Sequence, residues 1–150
     1  MDAFSMLNVS ASALTAERQR AEIATANMAN AETTRTVAGG PYKRKEVVFS
    51  SQGRSSFRLM FASTNASANM NQVAGTVRVS QVVDDPTPAV KRYDPGHPDA
   101  DQDGYVSLPN INPVQEMVDL MGATRAYQMN ASAVSAAKQM IQQSIDILKS

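Results

Sequence analysis

Cysteine and tryptophan are absent from this chain, and histidine occurs once, at His97. Without cysteine there are no disulfides and no thiolate metal ligands, so the redox compartment is left open. A zinc site or a Ser/Cys-His catalytic arrangement would have to be built on His97 alone, in a Pro-rich loop with no nucleophile motif near it. Gly39-Gly40 has neither the lysine nor the spacing of a phosphate loop. No apolar run approaches the roughly 20 residues that a bilayer span needs, and the start, Met1-Asp2, lacks the basic opening of a secretory signal. A formal net charge of +0 argues against a dedicated nucleic-acid or membrane-surface binder. Aromatics make up only 5% of the 150 residues, while Ala, Ser, Asn and Gln are plentiful. The apolar fraction therefore buries little area, the core is thin, and stability leans on association.

What the chain does have is helix. From Asn112 to Lys149 no glycine except Gly122 and no proline after Pro113 interrupts the run. Asn112-Pro113 supplies an N-cap followed by proline at the first helical position, with Gln115 placed as a capping-box partner. Leu120, Tyr127, Val134, Ile141 and Leu148 fall seven apart, each followed three residues later by Ala123, Asn130, Ala137 or Ser144 until the run ends. That is coiled-coil spacing over about 55 Å at ~1.5 Å per residue. Small residues between the large ones allow a close helix approach. Tyr127 is expected to bury its ring in the seam, and Gly122 marks a close backbone approach or a bend. Val114, Met117, Val118 and Met121 lie off the seam, so the helix is apolar on more than one side and expects more than one neighbour.

A second helix is predicted over Ala3–Ala29, with Leu7, Leu14, Ala21 and Met28 at heptad spacing, joined by Phe4 and Ala11. Laying it against the C-terminal helix buries both seams. The predicted fold is therefore α+β: N- and C-terminal helices paired as an antiparallel coiled coil, with a small mainly-β insertion between them. The segments are 1–34, 35–110 and 111–150. Leu7, Leu14, Leu120, Val134, Ile141 and Leu148 form the expected coiled-coil core. Asn27 and Asn30 close the first helix, either as caps that tolerate the left-handed conformation or as amides offered to adjacent subunits.

Within the insertion, alternation predicts strands over Tyr42–Phe49, Phe57–Phe61 and Val77–Gln81, a short one around Val90, and a last one over Tyr105–Leu108. Ser63 to Asn71 reads as a small, polar loop, and Tyr93 to Gly104 as a loop rich in Pro and Asp. Arg35, Lys43, Arg44, Lys45, Arg54 and Arg58 make one stretch basic; Asp84, Asp85, Asp94, Asp99, Asp101 and Asp103 make another acidic. Such opposite patches favour head-to-tail contacts between subunits or are two solvated loops. Asp99, Asp101, Asp103 and Gly104 match the first half of a calcium-binding loop, but Asn110 stands where the bidentate Glu is required, and Asx turns are the simpler reading.

Several of these segments carry a resemblance. Asn27-Met28-Ala29-Asn30-Ala31-Glu32-Thr33 resembles the signature shared by bacterial flagellar axial proteins, the rod and hook family; Glu116-Met117 and Arg125-Ala126-Tyr127-Gln128 with Asn130 resemble its C-terminal counterpart. The run Tyr93 to Asp101, then Gly104-Tyr105-Val106 and Pro109-Asn110, is similar to the loop of a proximal-rod member, and Pro41-Tyr42-Lys43-Arg44-Lys45 fits the same type. The resemblance implies a non-enzymatic structural subunit without cofactor, metal, small-molecule substrate or nucleic acid. It implies export through the flagellar type III apparatus without a cleaved signal and helical assembly in the periplasm. Partners would be copies of itself, rod proteins of the FlgB, FlgF and FlgG types and a FliE-type adaptor. Asn27, Met28, Asn30 and Thr33 on one side, and Met117, Met121, Arg125, Tyr127, Gln128 and Asn130 on the other, would form the assembly interface. The rival reading is a soluble adaptor that dimerises through its C-terminal helix.

Overall fold

A computed structural model describes residues 3–52 and 75–149. Helix α1 spans Ala3–Ala29, strands β1 Lys45–Gln52, β2 Thr76–Asp84, β3 Val90–Tyr93 and β4 Tyr105–Leu108 follow, and helix α2 spans Pro113–Lys149. The α+β architecture is as expected, with two terminal helices around a small β insertion. The strand expected over Phe57–Phe61 and the loop expected over Ser63 to Asn71 lie outside the described residues.

Arg20 Nη2 donates to Asp119 Oδ1 at 2.7 Å, and Asn27 Nδ2 donates to Glu116 Oε2 at 3.0 Å. Later residues of α1 thus meet earlier residues of α2, and the pair is antiparallel. The most deeply buried apolar positions on it are all alanine: Ala16 and Ala24 on α1, Ala123 and Ala137 on α2, with Ser10 beside them. Leu7, Leu14, Leu120, Val134 and Ile141 flank this strip half-buried. Small residues let the helix axes approach, and large ones at the margins are then covered on one side only. The expected seam needs three corrections. Phe4 is 70% exposed and Ala11 is exposed, because the buried face of α1 is turned toward Ser10, Ala24 and Asn27. Tyr127 is 42% exposed, its ring overhanging the strip. The side chain of Leu148 lies outside what is described.

α1 is covered on a second side by an antiparallel hairpin of β1 and β2, which makes its buried face wider than that of α2. Ser12 Oγ accepts the Val77 N–H at 3.1 Å and donates to the Val9 carbonyl at 2.7 Å, tying the start of β2 to the helix. The expected strand at Tyr42 begins three residues later, at Lys45, because the Tyr42 N–H is taken by the Thr33 carbonyl at 3.1 Å. The register shifts between Val48 and Phe49, where Val48 faces Gln81 and Phe49 faces Val79. Ser80 is the extra residue of this bulge, and its hydroxyl donates to the Val48 carbonyl at 2.9 Å.

The second hairpin, β3 with β4, contacts neither helix and neither strand of the first sheet. Val106 and Leu108 are nevertheless buried, covered by the irregular segments around them. Asp101 Oδ1 accepts the N–H groups of Asp103 and Tyr105 at 3.1 and 2.8 Å, the Asx turn expected there. Tyr93 and Tyr105 stack edge to face at 5.3 Å. Asn112 caps α2 as expected, its Oδ1 accepting the Val114 N–H at 3.0 Å, while Gln115 makes no reciprocal bond. At the end of α1, Asn30 Nδ2 donates to the Ala26 carbonyl at 2.8 Å. No non-glycine residue among those described has positive φ, so Asn30 caps through its side chain and not through a left-handed backbone.

Two glycines separate turn chemistry from helix cost. Gly104 has φ +78, and a Cβ there would sit 3.0 Å from Tyr93 Cε2 and 3.2 Å from Pro95 Cβ. Gly122 has open space at its Cβ position, so of the two readings, a close approach or a bend, the close approach does not occur among the described residues. Gly104→Ala is expected to lower stability by about 1–3 kcal/mol, and Gly122→Ala to raise it by about 0.5–1 kcal/mol. Urea unfolding followed by circular dichroism reads both as midpoint shifts of opposite sign.

Candidate functional site

Where α1 ends, β1 begins and α2 enters its first turn, five residues from three parts of the sequence converge. Asn27 is 1% exposed and Glu116 is 1% exposed, and these are the buried polar residues of the helix pair that carry long side chains. The Asn27 amide pairs with the backbone of Lys45 in both directions: Nδ2 donates to the Lys45 carbonyl at 2.8 Å and Oδ1 accepts the Lys45 N–H at 2.9 Å. It stands in for a neighbouring strand at the first residue of β1. Asn27 Nδ2 also donates to Glu116 Oε2, and Tyr42 donates its hydroxyl to Asn27 Oδ1 at 3.2 Å. Glu116 Oε1 accepts Arg44 Nε at 2.6 Å. Arg44 also pairs with Glu46 and, at 3.8 Å, with Asp85.

No buried side-chain nitrogen or oxygen of this knot lacks a partner, the condition under which buried charge is tolerated. Burial works against the Arg44 charge, but the Glu116 carboxylate, then Glu46, outweigh it and hold the guanidinium above its ordinary pKa. Burial, then the charges of Asp84 and Glu116, push the Tyr42 hydroxyl up. Hydrogen bonds from the Thr87 hydroxyl at 2.5 Å and its N–H at 2.8 Å, aided by the charge of Arg44, hold the Asp85 carboxyl below the usual carboxylate range. Beside the knot, Arg20, Ile23, Val47 and Phe49 line a cleft of about 330 Å³ between α1, β1 and α2.

Asn27, expected at an interface between subunits, has no surface to offer one: its amide is spent inside the chain. Glu116 and Arg44 were visible in the sequence only as parts of motifs. Their pairing across 72 positions carries no local signal. Asn130 is half-buried and donates to its own helix at the Ala126 carbonyl, 2.9 Å away. Met28 and Thr33 are half-buried near the end of α1, and Thr33 Oγ1 donates to Asn30 Oδ1 at 3.1 Å.

Part of the opposite charge runs meets within one chain; Arg54 and Arg58 lie outside the described residues. Arg35 pairs with Asp99, Arg44 with Asp85, and Lys45 with Asp84. Thr34 Oγ1 donates to Asp99 Oδ2 at 2.8 Å, so Asp99 fastens the β3–β4 loop to the segment after α1. His97 Nδ1 accepts the Asp99 N–H at 3.1 Å. Among the described residues no three His, Cys, Asp or Glu side chains are grouped to hold a metal ion.

The remaining residues expected at an interface do lie on the surface. Met117 is 52% and Met121 57% exposed, Arg125 and Gln128 are exposed, and Val114 and Val118 stand beside them at 71% and 58%. At 3.6 residues per turn, Val114, Val118 and Met121 fall about half a turn away from Ala123 and Ala137. The start of α2 thus carries an apolar face turned away from α1.

Two family models match the chain: "Flagella basal body rod protein" over residues 7–35 and "Flagellar basal body rod FlgEFG protein C-terminal" over residues 102–147. Those spans contain Asn27 and Glu116 respectively, one from each side of the knot. The chain is 42% identical to the flagellar basal-body rod protein FlgC of Bacillus subtilis over 153 aligned positions, covering 99% of this chain and 100% of that protein. It is 37% identical to FlgC of Borreliella burgdorferi, with 99% of each covered, and 35% identical to FlgC of Escherichia coli O157:H7, with 94% of each covered.

Removing the Glu116 carboxylate takes from Arg44 Nε and Asn27 Nδ2 the buried acceptor they share. Glu116→Ala is expected to cost about 3 kcal/mol, and Asn27→Ala about 2 kcal/mol. The double variant should fall short of their sum by ~1 kcal/mol or more, as for residues of one network, in a double-mutant cycle read by urea unfolding. A raised Tyr42 pKa means that the folded state keeps the proton longer than the unfolded one. Its contribution is therefore full below the ordinary tyrosine range and lost as pH rises above about 10. Tyr42→Phe should flatten the alkaline fall in stability measured against the unsubstituted chain.

Proposed function

This chain belongs to the FlgC family of flagellar basal-body rod proteins, and from that premise we propose that it is a proximal-rod subunit that carries torque from motor to hook through packed helices. As a rod component it assembles with other flagellar rod components. The neighbours we propose are copies of itself, proteins of the FlgB, FlgF and FlgG types and a FliE-type adaptor. The proposed route is passage through the flagellar type III apparatus without a cleaved signal, followed by assembly in the periplasm. No helix among the described residues is long and apolar enough to cross a membrane.

One observation carries this reading: α2 is apolar on two opposed faces, and a single chain covers only one. The seam against α1 is closed by alanines, whereas Val114, Met117, Val118 and Met121 remain open over the first turns. A lone two-helix pair has no use for the second face, and a packed cylinder does. Met117, Met121, Arg125 and Gln128, with the overhanging ring of Tyr127, form the proposed assembly surface on α2. Met28, Asn30 and Thr33 form a second, smaller one where α1 ends. The knot at Asn27 and Glu116 sets how the hairpin sits on the helices, so a load reaching the insertion is passed to the helix pair and not absorbed by a loose joint.

The test is a variant that spoils the open face without touching the seam. Met117→Glu with Met121→Glu should leave the urea midpoint and the helical circular dichroism within about 0.5 kcal/mol of the unsubstituted chain. The same variant should remove the subunit from isolated basal bodies and abolish swimming. Normal motility in cells relying on it would overturn the assignment of this face.

A further inference from the structure

The seam of α2 outlasts its partner. α1 has 27 residues and α2 has 37, so antiparallel pairing leaves the last part of α2 without a covering helix. The burial pattern follows: Ala137 is 1% exposed and Ile141 is half-buried, but every residue from Gln142 to Ile147 is exposed, with Ile145 at 41% and Ile147 at 74%. Ile145 stands four residues beyond Ile141 and continues the same stripe. α2 therefore bears two unsatisfied apolar surfaces, the prolonged seam at its end and the outward face of Val114, Met117, Val118 and Met121 at its start.

We infer that these two surfaces are each other's partners, in different copies of the chain: the projecting end of α2 in one copy lies on the outward face of α2 at its start in the next. This rests on the rod-subunit reading above and names the contact within it. Three observations favour this occupant. The two surfaces are at opposite ends of one helix and on opposite sides of it, so a head-to-tail contact buries one from each copy and offers a fresh one to the next. A two-fold contact of either surface with itself would leave the other bare. Arg125, exposed and without an ion-pair partner among the described residues, flanks the face four residues beyond Met121. The last carbonyls of an arriving helix end carry the negative pole that a cation there favours. A contact of this kind is heterologous and does not close on itself, the geometry of a helical assembly. It is also small, so it holds when many copies add their contacts and is weak for a single pair.

The absence of cysteine makes the test clean. Val118 and Ile145 are about 40 Å apart along one helix, and a disulfide needs Cα atoms within about 7 Å, so a bond between them forms only between copies. Basal bodies are isolated from cells carrying the full chain with Val118→Cys, with Ile145→Cys, or with both, and with the second pair Met121→Cys and Ile145→Cys. They are oxidised, run on non-reducing gels, and the linked peptides are identified by mass spectrometry. Expected are dimers and higher multimers from either double variant, collapsing on reduction, with a 118–145 or 121–145 linkage and none from the single variants. Self-linkage of a single variant overturns the inference in favour of a two-fold contact. Linkage to a different rod protein, or incorporation of both double variants with no linkage, overturns it too and leaves the rod assignment standing. Absence of the unsubstituted chain from basal bodies would overturn that assignment, and this inference with it.

Discussion

A carboxylate with almost no access to water, Glu116, holds three segments that are distant in sequence. Through Asn27 it fixes the end of α1, through Arg44 the chain entering β1, and its own position starts α2. An ion pair removed from water to this degree adds little net stability, because desolvation cancels much of the attraction. Its effect is on choice among arrangements. A strip of alanines can slide by a turn of helix at small cost, since one alanine resembles the next. A buried acid that must find one amide and one guanidinium cannot, and the seam inherits its register from the knot.

The rest of the fold follows from how little that seam can bury. Alanine and serine bring the helices together but present small areas, and the leucines, valines and isoleucines alongside are left half covered. The hairpin then shields the second side of α1, tied to it through Ser12 and Val77. The β3–β4 hairpin touches neither helix and is held by the Asp99 link and its own turns, where a Cβ at Gly104 would meet Tyr93 and Pro95.

Periodicity was enough to read the two helices, their antiparallel pairing and the strands at Val77, Val90 and Tyr105, because each announces itself within ten or so residues. The Asn112 cap and the Asp101 turn were equally local. What stayed hidden was anything decided by which face turns inward. Phe4 and Ala11 fit the heptad of α1 as well as Ser10 and Ala24 do, and the hairpin, absent from a helical wheel, settled the matter by widening the buried side. Asn27 looked like a helix terminator or a surface amide, since nothing nearby shows that Lys45 will come to lie against it. The charge runs left head-to-tail contacts or solvated loops open, and nothing in a basic and an acidic stretch far apart in sequence shows that the fold brings Arg35 to Asp99 and Lys45 to Asp84. Resemblance to the axial family named the role that periodicity alone left open between rod subunit and adaptor.

The link from Thr34 and Arg35 to Asp99 bears on mechanics. The β1–β2 pair is attached to the helices by the knot at Lys45 and by Ser12 at Val77, while the β3–β4 hairpin touches neither helix. The attachment at Asp99 lies on the other hairpin and on the other side of the Gly39-Gly40 turn. A threonine hydroxyl and a carboxylate on the surface therefore limit how far the β3–β4 hairpin can swing against the helices.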